Sequence, residues 1–123
     1  MIVGSVNARL EAMLQLQVED SSGRLPGIDT VIDTGFTGEL TLPNAQISAP
    51  GLSWAGEVVL QLGDGSAQTI DVYDAILWWD SNPVQVGVYA VETAPLLGTR
   101  LLAGHEVKVQ YVPGGAVVIV PIP

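Results

Sequence analysis

Val31-Ile32-Asp33-Thr34-Gly35-Phe36-Thr37-Gly38-Glu39-Leu40-Thr41-Leu42-Pro43 is the stretch on which the reading of this chain turns. It is entered through Ile28-Asp29-Thr30-Val31-Ile32, a short β-branched run, and left through Glu39-Leu40-Thr41-Leu42-Pro43, a second short alternating piece. Both have the composition of strands. An acid placed directly after an apolar strand end is held on rigid backbone, and the nearby glycine permits a tight turn that other residues resist. Taken alone, Asp33-Thr34-Gly35 reads as a structural turn, since Asp and Gly are common turn residues. Its context gives it more meaning.

The period of two continues on both sides. Leu10, Ala12, Leu14, Leu16 and Val18 alternate with Glu11, Met13, Gln15, Gln17 and Glu19, as in a strand with one buried face, and Asp20-Ser21-Ser22-Gly23 reads as a turn. Residues 44–56, with Pro50, Gly51 and Gly56, read as a loop or irregular connection. Glu57 to Leu62 and Gln68 to Trp79 flank Gly63-Asp64-Gly65-Ser66, a strong local signal for a hairpin. The second arm turns apolar on both faces near Ile76-Leu77-Trp78-Trp79, and Asn82-Pro83 breaks it. Val84, Val86, Val88 and Ala90 alternate as a further strand. Thr99 to Ala103 is the one helical candidate, with Gly104 as its stop. Val107, Val109 and Tyr111 alternate next, and Pro113-Gly114-Gly115 turns the chain into Ala116 to Val120. The pattern predicts an all-β fold, a small sandwich or barrel with one short helix near 99–103, in a single domain over 1–123.

Composition narrows the chemistry. The chain has 123 residues and a formal net charge of −9, with thirteen acids against four basic residues, Arg9, Arg24, Arg100 and Lys108. Nucleic-acid and anionic-membrane binding need clustered positive charge, so both are disfavoured as partners. There is no cysteine, which removes disulfides, thiolate zinc sites and cysteine nucleophiles together. The single His105 excludes a multi-histidine metal site. No basic region followed by a long apolar stretch opens the chain, and no apolar run approaches the roughly 20 residues of a membrane span, so the expected location is cytoplasmic.

Some sixty residues after the Asp-Thr-Gly comes Pro95-Leu96-Leu97-Gly98-Thr99-Arg100-Leu101-Leu102, an apolar pair and a glycine opening the helix. At this point the chain resembles the retropepsin-like aspartic proteases, specifically their small single-domain bacterial members. The resemblance runs over nearly the whole chain: the Asp-Thr-Gly loop, a Gly-rich hairpin where the family has its flap, the hydrophobic-hydrophobic-Gly motif, a short helix and a terminal strand. It implies a closed acid-protease barrel and an aspartic endopeptidase needing no metal or other cofactor.

Such chemistry uses two carboxylates that share one proton: one activates water, and the other donates to the scissile carbonyl. A chain of this length with one Asp-Thr-Gly supplies a single carboxylate. The resemblance therefore implies a homodimer in which Asp33 meets Asp33 of a second copy across a two-fold axis. The pair titrates with coupled macroscopic values, and activity is expected on the acid side of neutral. By the same resemblance Thr34 braces the two loops across the dimer, and Gly35 lets the substrate backbone approach. Gly63, Asp64, Gly65 and Ser66 fold over a peptide or protein substrate, and Leu96, Leu97 and Gly98 support the Asp33 loop. The substrate is an extended peptide clasped by strand-like pairing with apolar subsites.

The chain also departs from the family. Viral members commonly carry a second Asp two residues after the Asp-Thr-Gly, which pairs with an Arg after the apolar motif. Here Thr37 occupies that position while Arg100 remains, so Arg100 is expected to pair with Glu39 or another carboxylate. A second reading, from a different class, is a catalytically inactive module of the same fold that dimerises or binds peptides. A third, resting on Trp78-Trp79 alone, is a cleft for a small apolar ligand; adjacent strand residues point to opposite faces, so one Trp is expected in the core and the other at an interface or subsite. His105 follows Gly104 at a helix end, where a capping or solvated role is expected over catalysis. Ile2-Val3 and Val117 to Val120 read as core strands or as strands paired across the dimer, which would cover their edges.

Overall fold

The computed structural model describes residues 1–61 and 64–123. Along the chain run β1 (Ile2–Val6), β2 (Ala12–Val18), β3 (Gly27–Ile32), β4 (Leu40–Leu42), α1 (Asn44–Ser48), β5 (Ser53–Gln61), β6 (Ala67–Trp79), β7 (Asn82–Ala90), β8 (Leu96–Leu97), α2 (Thr99–Leu102), β9 (His105–Val109) and β10 (Ala116–Pro121). The architecture is all-β, as the period-two patterning predicts.

The strands form one sheet in the order β5-β6-β7-β4-β8-β3-β2-β1-β10-β9, and an additional pairing of β2 with β6 joins two of its strands. That pairing, Gln17 with Trp78 and Val18 with Leu77, closes β6, β7, β4, β8, β3 and β2 into a ring of six strands. Closure is confined to this ring. From it β5 extends on one side, and β1, β10 and β9 extend on the other.

The alternation in β2 explains the core directly. Ala12, Leu14, Leu16 and Val18 are buried while Met13, Gln15 and Gln17 face outward. Leu14, Leu16, Val18, Leu40, Leu42, Leu77, Val88 and Leu97 form the centre of one continuous cluster. Full burial of a Leu or Val side chain is worth about 1.5–3 kcal/mol, so this cluster is the main reason that the ring closes. Thr30 is fully buried among these apolar side chains because its hydroxyl donates to the Leu14 carbonyl at 2.7 Å.

Several boundaries differ from the sequence expectation. Leu10 is exposed, with φ at 61°, so β2 begins only at Ala12. Part of the expected irregular region 44–56 is α1, which buries Ile47, and part is the start of β5. There are accordingly two short helices among the described residues, not one. The break expected at Asn82-Pro83 lies at Asp80-Ser81, both at positive φ, which is the backbone of a tight hairpin turn. Asn82 and Pro83 belong to β7, opposite Trp79 and Trp78. Trp79 and Asn82 close the hairpin as a hydrogen-bonded pair, so Pro83 falls in the next, non-bonded pair, where its missing N–H costs nothing.

The terminal strands are paired within the chain. β1 runs antiparallel to β10, with Ile2 opposite Ile119 and Val3 opposite Val118, and β10 pairs on its other side with β9. The alternative of pairing these termini with a second copy is therefore not needed to cover them.

Candidate active site

Asp33 is the first residue after β3. The loop it opens ends at Glu39, directly before β4. The two-residue β8 lies between these strands, parallel to β3 and antiparallel to β4: Ile32 and Leu40 both take Leu97 as partner. The strand that enters the Asp33 loop and the strand that leaves it thus flank the Leu96-Leu97 segment on its two sides.

Four backbone hydrogen bonds extend this arrangement into the loop. The Asp33 N–H donates to Leu97 O at 2.9 Å, and the Gly98 N–H to Glu39 O at 2.9 Å. The Thr99 N–H donates to Phe36 O at 2.9 Å, and the Arg100 N–H to Gly38 O at 3.1 Å. The last two donors lie in the first turn of α2, whose N–H groups have no partner within the helix. Loop carbonyls take their place. Gly98 is required by this closeness: a Cβ there would lie 2.2 Å from Gly38 O and 2.8 Å from Phe36 O. Of the three residues expected beneath the loop, Leu97 and Gly98 bond to it directly and Gly98 is sterically sealed against it, whereas the Leu96 N–H donates to Thr41 Oγ1 of β4.

Asp33 itself is half-buried, whereas Thr34 and Gly35 are exposed. Asp33 Oδ1 accepts from the Gly35 N–H at 2.9 Å, and Oδ2 accepts no hydrogen bond among the described residues. The same local bond occurs in two plain turns, where Asp20 Oδ1 accepts from the Ser22 N–H and Asp64 Oδ1 from the Ser66 N–H. Asp20 is half-buried like Asp33 and Asp64 is exposed, and their carboxyls are held below the usual range by the Ser22 and Ser66 hydroxyls respectively. The Asp20 turn has its own distant tie, from the Ser21 N–H to Pro50 O at 2.8 Å, but the Asp33 loop is tied along its length by the four bonds to residues 97–100, so its position is set by tertiary structure as well as by its own turn.

The remaining sequence candidates divide. Asp64, Gly65 and Ser66 lie at the tip of the β5–β6 hairpin, as expected, and Gly63 lies outside the described residues. Among the described residues no hydrogen bond joins this tip to the Asp33 loop. Arg100 is exposed and makes no ion pair among the described residues, so the expected pairing with Glu39 is not formed. The reason is that Glu39 points elsewhere: its Oε1 accepts from the Gly87 N–H of β7 at 2.9 Å. His105 has a structural role. Trp79 Nε1–H can only donate, so His105 Nε2 accepts at 3.2 Å, and the Nδ1–H donates to Ala103 O at 3.0 Å. Trp79 is the core member of the Trp pair, and Trp78 is half-buried on the opposite face.

Sequence reasoning gave no role to Phe36 or Gly38, and it gave Glu39 only the Arg100 pairing that is not formed. The Phe36 ring stands edge-on to Tyr89 of β7, with ring centres 5.5 Å apart, and its carbonyl also accepts from the Thr99 hydroxyl at 3.4 Å. Gly38 is buried with its carbonyl on Arg100. The spacing of Gly35 and Gly38 around one aromatic residue was the signal available. Two clefts, of about 260 and 310 Å³, open elsewhere: one between Asp20, Leu52 and Asp74, the other between Pro26, Ile28 and Pro50, and Asp33 lines neither.

The structure is that of an all-β protein in which the loop carrying the half-buried Asp33 is braced by backbone bonds. No protein-family model matches the chain, and no curated protein matches it.

Proposed function

We propose that this protein is an aspartic endopeptidase with a retropepsin-like fold, active as a homodimer in which Asp33 of each subunit forms the water-activating pair. The observation that carries this reading is the brace around Asp33. Its loop is tied by four backbone hydrogen bonds to residues 97–100, while Thr34 and Gly35 stay open to a second copy. A catalytic carboxylate has to be held within a fraction of an ångström, which rigid backbone bonding supplies and a free surface turn does not.

In the paired site one Asp33 is ionised and its twin protonated, because two carboxylates in contact cannot both carry charge. The ionised group takes a proton from water as the water oxygen attacks the peptide carbonyl carbon. The protonated group gives its proton to the carbonyl oxygen, forming a diol. The carboxyl that took the water proton then passes it to the amide nitrogen as the C–N bond breaks, while a diol hydroxyl returns a proton to the other carboxylate, leaving a carboxylic acid and an amine. No metal or cofactor enters these steps. The exposed Thr34 hydroxyl, which makes no hydrogen bond among the described residues, is suited to bracing the second loop. The 63–66 hairpin tip is assigned the role of closing over an extended peptide and excluding water.

The test is cleavage of a mixed peptide library across pH by the wild-type chain and by Asp33→Asn. Cleavage by the wild type on the acid side of neutral, absent in the variant, supports the reading. Equal cleavage by both, or none by the wild type in its dimeric form, overturns it.

A further inference from the structure

β9 ends the sheet, and its outer edge is unpaired among the described residues. Which of its backbone groups face outward follows from the β9–β10 ladder. The Ile122 N–H donates to Gly104 O and the Gln110 N–H to Ala116 O, both at 2.9 Å, so 104/122 and 110/116 are hydrogen-bonded pairs at the two ends of the ladder. Hydrogen-bonded pairs alternate with non-bonded ones in an antiparallel ladder. Glu106 and Lys108 therefore bond to β10, and His105, Val107 and Val109 turn their N–H and C=O groups to the open edge.

We infer that this edge is a self-association surface, on which β9 pairs antiparallel with β9 of a second copy about a two-fold axis at Val107. Charge selects the register. Centring the axis on Glu106 would oppose two glutamates, and centring it on Lys108 would oppose two lysines. With Val107 at the axis, Glu106 of each chain faces Lys108 of the other, twice, in the non-hydrogen-bonded positions where cross-strand side chains lie closest. Val107 bonds to Val107, and His105 to Val109, through groups that already point outward. This register is also the one in which all five residues of β9 overlap.

The surroundings fit a buried edge. Tyr111 and Val112, 63% and 58% exposed, continue from one end of β9, and Ile122, 60% exposed, lies beside its other end through the Gly104 bond. Antiparallel pairing brings the Tyr111 end of one copy to the Ile122 end of the other. The opposite free edge, β5, lacks this complementarity: Glu57 is its single charged residue, and a bulge at Trp54/Gly56 interrupts its register. The inference stands on the β9 edge alone and does not rest on Asp33 being catalytic.

The test is sedimentation equilibrium on the full chain, with four variants. Glu106→Lys and Lys108→Glu each place like charges opposite one another twice, and each is expected to weaken the dimer by about tenfold or more. Combining them reverses both charges and is expected to restore the wild-type constant to within about threefold, a recovery that no loss of folding can mimic. Val107→Pro removes an outward N–H while leaving every β9–β10 bond in place, and is expected to abolish association. A wild-type chain that is monomeric at its highest soluble concentration overturns the inference. So does a dimer whose constant is unmoved by the single charge reversals, or one that the double variant fails to restore. A dimer insensitive to all four variants, yet still cleaving peptides through Asp33, would reject the β9 pairing and leave the proposed function standing.

Discussion

The backbone N–H of Asp33 donates to the carbonyl of Leu97 across 2.9 Å, so the residue after β3 is fixed by the residue that ends β8. Leu97 is fully buried between Ile32 and Leu40, its two cross-strand partners. The position of the carboxylate is thereby coupled to core packing. A disturbance of the Leu96-Leu97-Gly98 segment is transmitted to Asp33 through one bond.

Asp33→Asn keeps the Oδ1 acceptor for the Gly35 N–H and so preserves the loop. Thermal unfolding is expected to match the wild type, while peptide cleavage falls by at least ~10²-fold, because the amide can neither take nor share the proton. Retained turnover at a matching melting temperature would remove Asp33 from the chemistry.

Thr34→Ala removes an exposed hydroxyl that makes no hydrogen bond among the described residues. Monomer stability in denaturant is expected to change by less than about 0.5 kcal/mol, as for ordinary surface substitutions. The dimer dissociation constant, read by analytical ultracentrifugation, is expected to rise. An unchanged constant would argue against a brace across the dimer.

Gly98→Ala and Gly87→Ala separate sealed from open glycines. A Cβ at position 98 meets two backbone carbonyls and the Phe36 ring, none of which can move without opening the loop, whereas at 87 the nearest atom is a Val72 methyl at 3.6 Å. Urea denaturation is expected to show a loss of about 3 kcal/mol or more for the first and under about 1 kcal/mol for the second. Equal effects would show that the 98 segment can relax.

Thr41→Val tests the β4–β8 joint. Thr41 is buried, and its Oγ1 accepts from the Leu96 N–H at 3.0 Å. Valine keeps the shape and strands that donor, at an expected cost of about 1–3 kcal/mol in chemical denaturation, whereas Thr41→Ser retains the acceptor and should lose less. A neutral valine variant would mean that Leu96 finds another partner.

The hairpin tip is expected to loosen in acid. Asp64 is held below the usual carboxylate range by the Ser66 hydroxyl and N–H. A lowered folded value contributes stability above the ordinary carboxylate pKa, and that contribution is lost as pH falls through the folded value. Ser66→Ala is expected to move the Asp64 titration, followed by carboxyl-carbon NMR, up toward the ordinary value. No movement would place the cause outside the Asp64–Ser66 pair.

The parts of this fold legible in sequence are those written in local alternation. β2 shows period-two patterning because one of its faces lies in the core, the β5–β6 hairpin is marked by its Asp-Gly turn between strand-like runs, and β10 by a continuous apolar run after Pro113-Gly114-Gly115. The five-residue α1 was not legible: Ile47 is its single buried residue, and one apolar position sets no period. The turn at Asp80-Ser81 was masked by the stronger Asn-Pro signal beside it. At the site, the Asp-Thr-Gly loop and the apolar-apolar-Gly motif were visible as separate words, and Glu39 was expected to meet Arg100. Its carboxylate instead accepts from Gly87 of β7, a strand that lies beside β4 only in the closed ring.

Sequence alone settled the all-β character of this protein, its acidic surface and the residue types available for chemistry, because alternation, charge and residue identity act within a few neighbours. Tertiary structure alone decided that β8 lies between β3 and β4, that the termini pair within one chain, and that Glu39 is diverted from Arg100. Those outcomes depend on which distant backbones come within hydrogen-bonding distance once the core has closed, and no local pattern encodes that distance.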